Sequence, residues 1–212
     1  MSTLTNLRLD QKSKFGFDFD QTIADSSAGI TQCIEVVAKA FNSRISKEEI
    51  INLSKSGMSL SETLSVFVPN HEIDSAVGIF MESYPVLGVQ GTSLFPGVHE
   101  LFSQLRNLNI PIYIISAKSF KNLQLSIDYL QIQVEEYFGG MNLQGKADKI
   151  EYLGLDYYVG DQMSDMKAAS LAGAKGLLVN NSSKSLESKE TCFAEFSNIL
   201  ELNQKLSSVL EI

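Results

Sequence analysis

The chain is poor in the features on which several function classes depend. It has two cysteines in 212 residues, Cys33 and Cys192, far apart in the sequence. So sparse a pair gives no disulfide framework, and both read as buried free thiols of a reducing compartment. Its two histidines, His71 and His99, lack metal-ligand spacing and read as surface or capping residues. There is no basic cluster, and the formal net charge is −8. That balance argues against nucleic acid and against an anionic membrane surface as partners. The opening "MSTLTNLRLDQKSK" has no apolar signal core, and no segment reaches the length of a membrane span. Residues 1–12 read as a loose leader or an extra edge segment, and the expected location is the cytoplasm. Internal repeats and low-complexity tracts are also missing. What remains is an ordinary globular composition, 44% hydrophobic and 20% charged. A chain of this length buries roughly 70% of its unfolded surface. One domain, or one domain with a sizeable insertion, fits.

The stretch "KFGFDFDQTIADSSAGI" poses the first chemical question. Phe15, Phe17 and Phe19 frame Asp18 and Asp20, so an apolar strand runs straight into two carboxylates. Burying such a pair is costly. Either it sits at the wet end of a strand as turn and helix cap, or a cation holds it there for chemistry. Residues 26–84 then read as helices. "SAGITQCIEVVAKAFNSR" carries Ile30, Ile34, Val37 and Phe41 at helical spacing, with Ser26 or Ser27 as cap. "SKEEIINLS" is a short helix capped by Ser46, and "SLSETLSVFV" and "HEIDSAVGIFMESY" are two more. Beyond them strand and helix alternate, from "IPIYIISAK" through "LDYYVGDQ" and "GLLV" to a closing helix "SNILELNQKLSSVL". Alternation of this kind predicts a parallel sheet covered on both faces.

Ligands bind at the carboxyl ends of such strands. Three strand ends here carry polar groups: Asp18 and Asp20; Ser116, followed by Ala117 and Lys118; and Asp161 and Asp165 in "YYVGDQMSD". Lys146 and Lys149 precede the last of these. Lys118 reads as a solvated strand-end residue. Four carboxylates brought together repel one another, and a divalent cation relieves the repulsion. Oxygen-only ligands suit Mg²⁺. Residues i and i+2 of an extended segment point the same way, so Asp18 and Asp20 can face one reacting centre. One can act as a nucleophile while the other gives and takes a proton. A hydroxyl, a backbone N–H and a lysine would hold the oxygens of a phosphoryl group.

These motifs resemble the four signatures of the haloacid dehalogenase superfamily. "DFDQT" resembles the first, "IISAK" the second, Lys146 in "QGKADKI" the third and "VGDQMSD" the fourth, in the same order across residues 14–180. "DSSAGI" and "LFPGVHELFSQL" resemble the phosphoglycolate-phosphatase-like branch. The resemblance implies a three-layer α/β Rossmann-like core formed by residues 1–24 and 85–212, with an all-helical cap inserted at 25–84. It implies Asp18 as nucleophile and Mg²⁺ ligand, and Asp20 as general acid and base whose carbonyl also touches the metal. Thr22 would hold the turn that aims Asp20. Ser116, the Ala117 N–H and Lys146 would bind the phosphoryl group, with Lys149 as the other candidate lysine. Asp161 would ligate Mg²⁺ with Asp165 in support. Gln21 stands where that branch usually carries glycine.

The implied function is an Mg²⁺-dependent phosphatase acting on a small phosphorylated metabolite through an aspartyl-phosphate, as a monomer or homodimer. A sugar-phosphate mutase of the same superfamily is the alternative, because "SGMSLSETL" resembles that group's specificity loop. The loop from Gly57 to Leu64 holds no Lys or Arg, although Lys55 lies just upstream. From other classes, a phosphoacceptor signalling domain lacks a second Asp like Asp20, and a non-catalytic binding protein would not need the intact acidic set.

Overall fold

A computed structural model describes residues 13–56, 58–181 and 192–209. The expectations for residues 1–12, for Gly57 and for the acidic "ESKE" run at 187–190, read as a solvated loop, lie outside that set. Six parallel strands form the main sheet: β1 (Phe15–Phe17), β4 (Ile112–Ile115), β5 (Glu136–Phe138), β6 (Tyr157–Gly160), β7 (Lys175–Val179) and β8 (Ala194–Phe196). Their order is β5-β4-β1-β6-β7-β8. The first strand is therefore central, and β4 and β6 flank it in register: Phe17 lies opposite Ile114 on one side and Val159 on the other. Two further strands of two residues, β2 (Ala24–Asp25) and β3 (Ser93–Leu94), pair separately.

The chain divides into two compact units. The first comprises residues up to Ala24, Leu94–Leu123 and from Ile132 onward. Its layers follow from the alternation of side chains along a strand. Tyr158 and Ile115 face helices α7 (Leu143–Leu153) and α8 (Met163–Leu171), in a cluster with Ala147, Ile150, Ala168 and Ala169. The neighbouring Tyr157 points the other way, where its ring stacks on Phe15 at 4.8 Å. On that face Phe17 meets Phe102 of helix α5 (Val98–Asn107), which packs with α9 (Ile199–Val209). The result is helix, sheet and helix, the expected three-layer architecture. Gly16 is required by it: a Cβ there would lie 2.4 Å from Leu155 and 2.9 Å from Tyr158. Phe15, Phe17 and Phe19 are fully buried, which accounts for the apolar frame around the two aspartates.

The second unit, Asp25–Ser93 with Gln124–Gln131, is helical. It holds α1 (Ser27–Ala40), α2 (Lys47–Ser54), α3 (Leu60–Ser65) and α4 (Ile73–Ser83), and the C-terminal part of α6 (Phe120–Leu130). Its core joins Ile34, Val37, Ile50, Leu64, Phe80 and Tyr84. Helical backbone runs past residue 84, because Tyr84–Gly88 continues α4 as a π-helical turn. Ser46 caps α2 through a reciprocal pair with Glu49, as its sequence signature predicts. Ser59 and Glu62 repeat that pair at the start of α3, so "SLSE" is a helix-starting device. Neither Ser26 nor Ser27 caps α1 by its hydroxyl; the carboxylate of Asp25 accepts from the Ser27 N–H and Oγ. Cys33 and Cys192 are both free thiols, the first buried and the second half-buried. No helix among the described residues is long and apolar enough to cross a membrane.

Candidate active site

The site grows from the sheet order. The ends of β4, β1 and β6 are neighbours, so the three polar strand ends meet at one edge of the first unit. Asp18 follows β1 directly and remains in the ladder, its N–H donating to the Val159 carbonyl at 2.8 Å. Asp20 closes the next step, with an isolated bridge to Ala24. Between them the chain turns sharply. Gln21 has φ +62°, in the left-handed region that favours glycine. Asn181, just beyond β7, fixes this turn by donating from Nδ2 to the Gln21 and Thr22 carbonyls, both at 2.9 Å. Its own Oδ1 accepts from the Ile199 N–H at 3.3 Å.

Asp18 is 6% exposed. Burial pushes its carboxyl up to about 6; Lys146 opposes the rise, and Asp165 and Asp20 add to it. The Lys146 ammonium lies 2.9 Å from Asp18 Oδ1 and 2.6 Å from Asp165 Oδ1. Burial alone would lower this lysine, but the oxygens of Asp18, Tyr158 and Asp165 hold it well above its ordinary value. Lys149 is placed elsewhere: its amine lies over the Phe138 ring at 4.2 Å and the Tyr152 ring at 4.8 Å. Of the two candidate lysines, Lys146 is the one at the carboxylates. Tyr158, whose hydroxyl donates to the Ile115 carbonyl at 2.6 Å, walls the lysine from beneath.

Asp161 directly follows β6 and is half-buried. Desolvation, then the charges of Asp18 and Asp165, push its carboxyl well above the usual range. Thr22 Oγ1 donates to it at 3.2 Å. Asp165 is 1% exposed and divided between two tasks. Its Oδ1 receives Lys146, while its Oδ2 accepts from the Gln162 N–H at 3.1 Å and so starts α8. The cap of that helix is thus Gln162 with Asp165. Gly160 makes room for it: a Cβ there would lie 2.3 Å from the Asp165 Cβ. Gly160→Ala is therefore expected to overpack the site and cost about 1–3 kcal/mol. A melting temperature equal to that of the parent protein would show that Asp165 can relax away.

Ser116 is buried at the end of β4, its N–H donating to the Phe138 carbonyl at 2.9 Å, and Ala117 follows it exposed. The next residue departs from expectation. Lys118 is not solvated: its side chain is 5% exposed, and its amine lies 2.8 Å and 2.9 Å from the two carboxylate oxygens of Asp20. A lysine after a strand ordinarily keeps its head in water. Here a carboxylate on the adjacent strand end draws it inward, and only the pairing of β4 with β1 reveals that partner.

The residues present fit a small hard cation. Oxygens of Asp18, Asp161 and Asp165 lie within 4.8 Å of one another. Asp18 Oδ1 is buried without an aligned hydrogen bond, although it is ion-paired to Lys146. An all-oxygen, carboxylate-rich donor set beside a potential phosphate site suits Mg²⁺ rather than a softer metal.

Comparison with known proteins agrees with this arrangement. A family model for haloacid dehalogenase-like hydrolases matches residues 16–143, more than half of the chain. Similar solved structures include a haloacid dehalogenase-like family hydrolase from Streptococcus pneumoniae, 20% identical with a TM-score of 0.73, covering 96% of this chain and 99% of that one. A predicted phosphoglycolate phosphatase from Haemophilus somnus is 16% identical with a TM-score of 0.73, covering 93% and 99%. CbbY from Rhodobacter sphaeroides, solved in complex with phosphate, is 15% identical with a TM-score of 0.72, covering 90% and 96%. At these identities the likeness is one of fold. No curated protein matches the chain. The matched segment contains Asp18, Asp20 and Ser116 and ends before Lys146, Asp161 and Asp165, which the sheet brings to the same place. The chain belongs to the haloacid dehalogenase-like hydrolases.

Proposed function

We propose that this protein is an Mg²⁺-dependent phosphatase that hydrolyses a small phosphate monoester through an aspartyl-phosphate on Asp18. The observation that carries the reading is the pairing of two differently engaged aspartates at the central strand end. Asp18 is buried against Lys146 and the Asp161–Asp165 group, while Asp20 is more exposed and held by Lys118. The first environment suits a nucleophile that must face a phosphoryl group. The second suits a group that exchanges protons with a leaving group and with water.

In this reading Ser116 Oγ, the Ala117 N–H and the Lys146 ammonium hold the phosphoryl oxygens. An Asp18 carboxylate oxygen attacks phosphorus, the bond to the ester oxygen breaks, and Asp20 gives that oxygen a proton. Water then attacks the phosphoryl group, Asp20 takes its proton, and the Asp18 carboxylate leaves, releasing inorganic phosphate. Mg²⁺, held by Asp18, the Asp20 carbonyl and Asp161 with Asp165 in support, would neutralise charge shared by the carboxylates and the phosphoryl group.

The substrate class is a small phosphorylated metabolite, in keeping with the phosphoglycolate phosphatase likeness. The mutase alternative needs a cationic grip on a distal phosphate. In "SGMSLSETL" the corresponding position is Leu60, and the nearby Ser59–Glu62 pair serves to start a helix. We therefore read the protein as a hydrolase. The test is purified protein with Mg²⁺ against phosphoglycolate, sugar phosphates, nucleotides and pyrophosphate. Release of inorganic phosphate is expected; conversion of a hexose 1-phosphate to its 6-phosphate with little free phosphate would favour the mutase.

Metal dependence adds a readout independent of turnover. A cation bound only by the folded state stabilises it, by about 2.7 kcal/mol at a hundredfold excess over Kd. Added Mg²⁺ should raise the melting temperature, and Asp161→Ala should shift that response to higher Mg²⁺. Chelator should silence the enzyme. Full activity in excess chelator, with no thermal response to Mg²⁺, would remove the metal from the account.

A further inference from the structure

Lys118 reaches from the end of one strand to the carboxylate at the end of the next, and both its ends are anchored. Its N–H donates to Ser116 Oγ at 3.3 Å, and its carbonyl accepts from the Gly140 N–H at 2.7 Å. Its amine contacts both Asp20 oxygens and lies 5.5 Å above the centre of the buried Phe19 ring. A two-point grip fixes the plane of a carboxylate, which a single hydrogen bond leaves free to turn. Each carboxylate oxygen has two lone-pair directions. The grip engages both oxygens from a single ammonium. Lys146, by contrast, is committed to Asp18 and Asp165. The two buried lysines therefore serve different aspartates.

We propose that Lys118 is a positioning residue for Asp20, and that its grip acts on proton delivery to the leaving group rather than on holding the transferred phosphoryl group. This rests on the phosphatase reading given above. A misplaced acid is a poor one, because small departures from the reactive geometry are costly in rate. Removing the grip should slow only those substrates that need the acid. An alkyl phosphate expels a strongly basic alkoxide and needs the proton. A nitrophenyl phosphate expels a stable phenolate and scarcely needs it.

The experiment compares the parent protein with Lys118→Met, which keeps the chain's length and its packing over Phe19 but loses the charge. Values of kcat/KM are measured in Mg²⁺ across alkyl and aryl phosphates of graded leaving-group acidity, together with the inhibition constant of orthovanadate. For alkyl phosphates a loss on the order of 10²-fold is expected, at the low end of what an acid–base group contributes. The loss should shrink to a few-fold for nitrophenyl phosphate, and vanadate should bind nearly as before. Lys118→Arg, which can grip a carboxylate at two points, should recover part of the alkyl activity; it also serves if Lys118→Met does not fold. An equal loss for every leaving group, with weakened vanadate, would overturn the proposal and make Lys118 a phosphoryl-binding residue. An unchanged profile would overturn it too. A parent protein that hydrolyses none of the esters would defeat the phosphatase reading itself, and this proposal with it.

Discussion

Asp18→Asn is expected to abolish turnover while leaving the fold in place. The amide has nearly the shape of the carboxylate but lacks the nucleophilic oxygen. No second group can take its role: among the described residues, Asp161 and Asp165 are the other carboxylates of the same cluster, and Asp165 is tied up by Lys146 and the start of α8. The substitution also removes a charge from a site where buried carboxylates oppose one another. Stability should accordingly change little, or rise, even as activity disappears. Initial rates of phosphate release together with a melting curve check both halves. Activity near that of the parent protein would remove Asp18 from its central role.

Asp20→Asn is expected to lose on the order of 10²–10⁴ in rate, the usual contribution of a positioned acid and base. An amide cannot shuttle a proton, but it keeps the size of the residue and the bridge to Ala24. It also leaves the Lys118 ammonium without its carboxylate, so a modest fall in stability is expected beside the kinetic effect. Phosphate-analogue affinity separates the interpretations. If binding survives while turnover collapses, Asp20 acts on protons. If rate and affinity fall by the same factor, it is a binding residue. The leaving-group response gives a second check, because Asp20→Asn should resemble Lys118→Met in pattern and exceed it in size.

Much of this molecule was legible in the sequence because its signals are local. The branched and aromatic run "IYII" and the fully buried "YYVG" can hardly be other than buried strands, and alternation with helices makes them parallel. The order β4-β1-β6, which alternation alone does not set, brings the polar ends together. What escaped reading depends on tertiary pairing or on very short elements. Strands β2, β3 and β8 have two or three residues each, too few for a period to show. Choosing Lys146 over Lys149 needs the rotation of α7, which begins at Leu143, three residues before Lys146. Asn181 gave no signal, since one asparagine after a strand reads as turn material; its meaning lies in carbonyls far away in the chain. Lys118 reads as solvated in the sequence because its partner sits at a neighbouring strand end. Gly160 could have been found: a glycine before an aspartate at a strand end invites the question of what needs the space.

The central claim is that a phosphoryl group passes through Asp18. The most direct measurement is an acid quench of the enzyme during steady turnover of a good substrate with Mg²⁺, followed by peptide mass analysis. The account predicts a phosphoryl adduct on the peptide containing Asp18, absent from Asp18→Asn and enriched in a variant whose second step is slowed. A phosphoryl adduct on another residue, or sustained phosphate release with Asp18 replaced by asparagine, would contradict it.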